Sequence, residues 1–125
     1  MHWFDEFETR HLDVNGVQIY ARVSPGLPAD RPALLLLHGF PQTHVMWHRV
    51  AQLLHKDFYL VMPDLRGYGE SKTKAIDASR GVRDWSDDLH SLFETLGLAA
   101  IHLLGWSLGG GVAMQYVIDH PERVK

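Results

Sequence analysis

The 125-residue chain is 46% hydrophobic and 10% aromatic, which is the apolar content of one globular domain. Its formal net charge is -3 and no block of lysine or arginine occurs, so nucleic acid is not an expected partner. No cysteine is present and the longest apolar run, Ala33 to Leu37, is too short to span a bilayer, so we expect a cytoplasmic protein without a membrane partner or thiolate metal site.

The first predicted element is an antiparallel hairpin formed by Thr9 to Val14 and Val17 to Val23. The two runs meet at Asn15-Gly16, a dipeptide that tolerates positive φ at both centres of a tight turn. Apolar residues occupy every second position of the second run, so one face of the hairpin is expected to be solvated. A stretch rich in proline and glycine, Ser24 to Pro32, follows.

Three apolar runs then alternate with segments of helical periodicity. The runs are Ala33 to Leu37, Phe58 to Met62 and Ala100 to Leu104, and the helical segments begin near Thr43, Asp84 and Leu108. A run that is apolar on both faces suits a strand covered by helices on both sides. A hairpin followed by β-α-β-α-β-α predicts an α/β fold, with a parallel sheet layered by helices.

The predicted helices have recognisable faces and ends. The apolar stripe of the first consists of Met46, Trp47, Val50, Leu53 and Leu54. A polar loop from Asp64 to about Arg83 precedes the second helix, for which Asp84 is the expected N-cap and Gly97 the C-terminal stop. The third is expected to end near His120, because Pro121 cannot continue it.

The segment Gly105-Trp106-Ser107-Leu108-Gly109 fits G-x-S-x-G and lies where a predicted strand meets a predicted helix. Such a serine occupies a sharp turn, called the nucleophile elbow, and the glycines on either side leave room for the crossing backbones; the helix that follows is the elbow helix. The helix behind it aims unpaired N–H groups at the developing charge. Ser107 is therefore the predicted nucleophile. The alternative, a nucleotide-binding turn, lacks a G-x-G-x-x-G after the first parallel strand.

An acyl-transfer site also needs donors for the oxyanion. His38-Gly39-Phe40-Pro41 follows the first parallel strand, where Gly39 permits a close backbone approach. We predict that the N–H groups of Phe40 and Leu108 form the oxyanion hole. Alone, this pattern is equally consistent with a plain turn, but the elbow makes the interpretation stronger.

His44 and His48 lie i, i+4 on the first helix, near the strand ends, and are candidates for an alternative base. They are also consistent with solvent-facing positions, or with half of a zinc-binding H-E-x-x-H that lacks the glutamate and a third ligand. We therefore expect no metal and no cofactor. The residues expected to be structural are His38, His102, Asp64 and Arg66. Trp47 and Trp106 are predicted to bind substrate.

Several segments of the sequence resemble the α/β-hydrolase fold family. They are His38 to Thr43, Asp64 to Ser71, Gly105 to Gly110 and His120 to Val124. The resemblance implies that residues 1–125 form the N-terminal portion of an α/β-hydrolase domain, an incomplete fold with about five of eight strands. His38 to Val50 and Asp64 to Ser71 are most similar to haloacid dehalogenases and epoxide hydrolases, which carry an aspartate where this chain has Ser107. Serine there resembles esterases and lactonases.

In the resembled family the triad runs in the order serine, acid, histidine, with both partners beyond the elbow helix. Asp119, His120 and Glu122 lie about 18 Å from Ser107 along the third predicted helix and cannot turn back to it. The resemblance therefore implies that the acid and the histidine are absent from this chain. We therefore expect this chain to be either a fragment of a longer protein or a short form that completes its sheet by association with another chain.

The first hypothesis is a serine hydrolase, or a piece of one, that attacks a small ester, thioester or lactone. The alternatives are a non-catalytic binding or assembly module, and a dehalogenase or epoxide-hydrolase relative whose aspartate has been replaced. The predicted strand Ala100 to Leu104 carries no charge or proline that would discourage edge pairing. We therefore expect a homodimer, or a complementary C-terminal chain, to pair with this strand.

Overall fold

A computed structural model describes residues 4–26, 31–71 and 81–125. Among these residues are the strands β1 (Glu8–Val14), β2 (Val17–Val23), β3 (Ala33–Leu37), β4 (Tyr59–Pro63) and β5 (His102–Gly105), and the helices α1 (His48–Leu54), α2 (Arg83–Leu96) and α3 (Leu108–Asp119). Short 3-10 helices span His44–Trp47 and Pro121–Arg123. Parts of the predicted loops Ser24 to Pro32 and Asp64 to about Arg83 lie outside the described residues. None of the described helices has the length and apolar character needed to span a membrane.

The five strands form one mixed sheet in the order β1-β2-β4-β3-β5. β1 pairs with β2 and β2 pairs with β4 in antiparallel orientation. β3 lies between β4 and β5 and is parallel to both. The predicted α/β fold, a hairpin joined to a layered parallel sheet, is confirmed.

The hairpin is built as its sequence predicts. Asn15 has φ 50° and Gly16 has φ 79°, the left-handed conformation that the tight turn requires. Alternate residues of β2, from Val17 to Val23, are buried, and the residues between them are exposed or half-buried. One face of the hairpin therefore packs on the core and the other faces solvent.

β3 and β4 are buried on both faces, as their continuous apolar sequences predict. The same prediction is wrong for β5, which is half-buried and has an exposed Leu104, because it has a described neighbour strand, β3, on one side only. One face of β3 contributes Leu35 and Leu37 to a cluster with the hairpin, α2 and α3. The other face contributes Leu34 and Leu36 to a second cluster with Trp47 and α1. Helices therefore cover both sides of the sheet, α2 and α3 on one and α1 on the other.

Three further sequence predictions need correction. Val82, not Asp84, is the N-cap of α2, and it makes no side-chain capping bond; Asp84 is buried in the first turn. Leu53, predicted on the buried stripe of α1, is 78% exposed because this short helix covers the sheet with its other side. The last strand begins at His102 rather than Ala100, since Ile101 forms only an isolated bridge.

Candidate functional site

Ser107 lies on a tight turn between β5 and α3. Its φ is 56° and its ψ is -115°, a conformation that costs a non-glycine residue about 1–3 kcal/mol and that clusters at functional sites. The residue is exposed to solvent. This turn matches the strand-to-helix placement predicted for G-x-S-x-G.

Glycines make the turn sterically feasible. A Cβ atom on Gly105 would overlap the carbonyl group of Gly109, and one on Gly109 would overlap the carbonyls of Leu37 and His38. The backbone of α3 therefore crosses directly over the ends of β3 and β5. No larger residue fits at either position without moving a backbone segment.

The loop that follows β3 touches the serine. A Cβ atom on Gly39 would lie 2.7 Å from the Trp106 carbonyl oxygen and 2.9 Å from Ser107 Cβ. The Trp106 N–H donates to the Leu37 carbonyl at 3.0 Å, which joins the two strand ends. The structure thus brings the predicted oxyanion loop and the predicted nucleophile into contact.

The two predicted oxyanion donors are the N–H groups of Phe40 and Leu108. Leu108 is the first residue of α3, so its N–H has no acceptor within the helix. Within residues 4–26, 31–71 and 81–125, neither the Phe40 N–H nor the Leu108 N–H donates to a backbone carbonyl. Phe40 is 69% exposed, and the peptide bond between Phe40 and Pro41 is cis.

The His38 side chain is fully buried and holds this loop by hydrogen bonds. The Leu65 N–H donates to His38 Nε2 at 2.9 Å, so the proton lies on Nδ1, which donates to the Gly39 carbonyl at 2.9 Å. Burial lowers the pKa of His38, which favours the neutral ring. Both nitrogens are engaged, so the structural role predicted for His38 agrees with its contacts.

Asp64 organises the neighbouring strand end. Its carboxylate accepts from the His44 N–H at 2.7 Å, from His44 Nδ1–H at 2.8 Å and from the Glu70 N–H at 2.9 Å. Burial alone would raise the pKa of Asp64, but these hydrogen bonds outweigh burial and lower it. Asp64 is therefore a buried, ionised anchor, as the sequence predicts, and it lies after β4.

His44 is held by Asp64 and by aromatic side chains. Its Nδ1–H donates to the Asp64 carboxylate, and its ring packs on Phe4 at 5.1 Å and on Tyr20 of β2 at 5.2 Å. The role of alternative base stays a prediction. The solvent-facing alternative is wrong, since His44 is buried.

The other predicted site residues differ in their surroundings. His48 is half-buried, and its Nδ1 donates to the Val45 carbonyl at 3.0 Å. Trp47 is buried in the second apolar cluster, so it packs in the core instead of lining an open cleft. Trp106 is 59% exposed beside Ser107, where a substrate can reach it.

Arg66 and Tyr68 complete the surroundings. Arg66 binds Asp88 of α2 through two hydrogen bonds, of 2.8 and 2.7 Å, which hold the loop after β4 as predicted. The Tyr68 ring contacts His38 at 5.3 Å and Phe40 at 6.2 Å. The sequence offers only its aromatic character as a signal for this position, because the contact depends on how two distant loops meet.

The side chains beyond α3 are far from the nucleophile. His120 stacks on His90 with ring centroids 4.0 Å apart, at the end of the twelve-residue helix opposite Ser107. Over the part of the chain that the structure describes, no group of three His, Cys, Asp or Glu side chains could hold a metal ion. The site thus combines an exposed serine, the exposed Trp106 and two amides that donate to no backbone carbonyl among the described residues.

Several known proteins are similar in sequence to this chain. A model of the α/β hydrolase fold matches residues 32–125. A fluoroacetate dehalogenase from Burkholderia sp is 42% identical over 97% of this chain and 40% of its own length, and epoxide hydrolase 3 from Siraitia grosvenorii is 31% identical over 97% and 37%. Monoacylglycerol lipase abhd6-B from Xenopus laevis is 33% identical over 79% and 30%.

A solved structure gives the same result. The putative α/β hydrolase ALR0039 from Nostoc sp PCC 7120 superposes with a TM-score of 0.88 at 37% identity, over 98% of this chain and 42% of that one. The chain spans about two fifths of the length of these relatives, or less. The fold, the elbow and the matches together show that this chain belongs to the α/β-hydrolase fold family.

Proposed function

We propose that this chain carries the nucleophile and the oxyanion hole of a serine acyl hydrolase, with Ser107 as the catalytic residue. The observation that carries the proposal is the exposed Ser107 at positive φ, in contact with the Gly39 loop. Strain of this kind persists only where the surrounding structure enforces it. A serine with no chemical role has no need of such a turn.

The geometry supports acyl transfer to and from a small ester, thioester or lactone. Ser107 Oγ attacks the acyl carbonyl carbon while a base takes its proton, and the carbonyl oxygen becomes an oxyanion facing the Phe40 and Leu108 amides. Collapse expels the alcohol or thiol, which takes up that proton. Water then attacks the acyl-serine, releasing the carboxylic acid and restoring Ser107.

The base and its orienting acid come from outside the described residues in this proposal. The described histidines nearest the site are engaged elsewhere, because His38 uses both ring nitrogens and His44 is bound to Asp64. An isolated serine without its base loses about six orders of magnitude in kcat. The chain alone should therefore acylate slowly and turn over feebly.

Intact mass spectrometry after treatment with 4-nitrophenyl acetate tests the nucleophile directly. We expect a slow acetyl adduct on Ser107 that is absent in Ser107→Ala and unchanged in the matched control Ser91→Ala, which removes a hydroxyl on α2. An adduct that persists in Ser107→Ala would mean that the proposed nucleophile is wrong. Turnover at ordinary enzyme rates would instead disprove the missing base.

A second candidate is supported by the 42% identity to a fluoroacetate dehalogenase. In that case the chain descends from enzymes with an aspartate at position 107. Serine cannot form the ester intermediate that a carboxylate nucleophile forms from an alkyl halide or epoxide. Halide release from fluoroacetate by Ser107→Asp, combined with no acylation of the wild-type serine, would favour this candidate.

The third candidate is a binding or assembly module that keeps the fold without catalysis. It predicts ligand binding near Trp106 with no adduct on Ser107 under any acyl donor. The mass measurement therefore separates the first candidate from the other two, and halide release by Ser107→Asp separates the second from the third. The cytoplasmic location expected from the sequence stays a prediction.

A further inference from the structure

One peptide group of the loop after β3 carries both a bonded carbonyl and the predicted oxyanion donor. The Gly39 carbonyl and the Phe40 N–H belong to the same peptide bond, and this bond is trans. In a trans peptide the C=O and the N–H are coplanar and point in opposite directions. Whatever fixes the Gly39 carbonyl therefore also fixes the direction of the Phe40 N–H.

Two donors hold the Gly39 carbonyl. The Gln42 N–H donates to it at 2.8 Å, and the Nδ1–H of His38 donates to it at 2.9 Å. The Gln42 bond closes a turn within the loop, so it moves with the peptide group whenever the loop moves. The His38 ring is fully buried and packs against the Tyr68 ring at 5.3 Å, so it is a fixed point in the core. Of these two donors, His38 is the one that ties the carbonyl to the rest of the molecule.

The loop after β4 decides which nitrogen of His38 is the donor. The Leu65 N–H donates to Nε2 of this ring at 2.9 Å, so Nε2 carries no proton and the proton of the neutral ring is on Nδ1. A protonated ring would bring two donors together at Nε2. Burial lowers the pKa of His38 against the opposing effects of the Gly39 bond and the Asp64 charge, so the neutral form that this arrangement needs is favoured.

We propose that His38 is a positioning residue for acyl transfer, because its hold on the Gly39 carbonyl directs the Phe40 N–H towards the oxyanion. This inference rests on the function proposed for Ser107, since it concerns a donor to the same oxyanion. The peptide group is close to the nucleophile, because a Cβ atom on Gly39 would lie 2.9 Å from Ser107 Cβ. His38 itself is fully buried with both ring nitrogens bonded, so it acts through the backbone amide and not by contact with a substrate.

Two substitutions separate the roles of the two His38 nitrogens. In His38→Asn the side-chain amide places a donor near the position of Nδ1 but no acceptor at the position of Nε2. In His38→Gln the amide oxygen reaches the position of Nε2, and no donor is left at the position of Nδ1. Each variant keeps one of the two buried hydrogen bonds and loses the other, so the two are matched for a general loss of stability. A purely structural role of His38 would make both variants equally poor.

The rate at which 4-nitrophenyl acetate acetylates Ser107, followed by intact mass spectrometry, reports on the oxyanion hole. Acylation that persists without the base depends on the oxyanion hole and on binding. Complete loss of one oxyanion donor slows such reactions by about 100-fold or more. We therefore expect His38→Gln to react at least about tenfold more slowly than the wild type, and His38→Asn to stay within about threefold of it. Equal slowing of the two variants, or a slower His38→Asn, would overturn the positioning role.

Nuclear magnetic resonance tests the geometry without any need for activity. In the wild type, the imidazole nitrogen-15 shifts of His38 should show a proton on Nδ1 and none on Nε2. The opposite tautomer would overturn the proposal even if neither variant folds.

Residual dipolar couplings then give the direction of the Phe40 N–H bond. We expect the wild-type direction in His38→Asn and a different direction in His38→Gln, and the same direction in both variants would refute the proposal. If these couplings differ as expected but the wild type forms no acetyl adduct, the function proposed for Ser107 is wrong while the hold of His38 on the amide is supported.

Discussion

The two edges of the sheet are built differently. β1 presents Glu8, His11 and Asp13 to solvent, so charged and polar side chains line the outer edge. β5 has the sequence His-Leu-Leu-Gly, with Leu104 exposed and an apolar groove beside it. Natural sheets protect exposed edges with charges, and only the β1 edge has this protection. The difference teaches that polar side chains suit the β1 edge to water, whereas β5 places apolar side chains at the surface of the described chain.

The largest expected effect on stability comes from a substitution at the contact between α3 and the end of β3. In Gly109→Ala the new methyl group would overlap the carbonyls of Leu37 and His38, which are backbone atoms held by the sheet. We expect a loss of about 3 kcal/mol or more in the free energy of unfolding, measured by urea denaturation.

The control for this change is Gly111→Ala in the same helix. There the nearest atom to the new Cβ is a Val82 methyl carbon at 4.0 Å, so no overlap occurs. Alanine favours the helix over glycine by up to about 1 kcal/mol, so this variant should be as stable as the wild type or more stable. Equal losses in the two variants would show that β5 is not locked to its neighbours by close backbone contact.

The next effect concerns how the hairpin edge is attached. The Asp64 N–H donates to the Tyr20 carbonyl, and His44, bound to the Asp64 carboxylate, packs on the Tyr20 ring. Asp64→Asn replaces one acceptor oxygen by a donor and should cost about 2–3 kcal/mol. The exposed control Asp57→Asn should cost less than about 0.5 kcal/mol.

The pH dependence of stability gives a second check on Asp64. Its folded pKa lies below the unfolded value of 3.8, so the ionised group stabilises the fold above that value. This contribution is lost as pH falls through the folded pKa. The wild type should therefore lose more stability in acid than Asp64→Asn does. A parallel decline of both proteins would contradict the assigned hydrogen bonds.

Hydrogen exchange compares the edge of the sheet with its centre. We expect peptides that cover β3, which pairs with β4 and β5, to exchange at least about tenfold more slowly than peptides that cover β1, which pairs with β2 alone among the described strands. Equal exchange of the two strands would contradict this strand order.

The smallest expected effect is at the β1 edge. Arg10 and Glu8 approach to 4.0 Å, and both side chains are substantially exposed. Such surface pairs contribute about 0.5 kcal/mol or less. Glu8→Ala should therefore leave thermal stability almost unchanged. A large loss would contradict the solvent exposure of this ion pair.

Local sequence patterns were sufficient for much of this fold. The Asn15-Gly16 turn, the alternation in β2 and the glycine stop of α2 at Gly97 all follow from preferences of a few adjacent residues. The same holds for the elbow at Ser107, because the required glycines are adjacent in sequence. These features depend on residues that are adjacent in the chain, so the sequence alone is enough to predict them.

Other features depend on partners far apart in sequence, and the tertiary structure alone decided them. The helical pattern around His44 and Trp47 cannot tell which side meets Asp64, which lies twenty residues from His44. It also cannot tell that Trp47 enters the core while Leu53 stays in water. The order β1-β2-β4-β3-β5 likewise puts β4 beside the hairpin. Such choices rest on how whole layers bury their apolar faces together, which no local preference specifies.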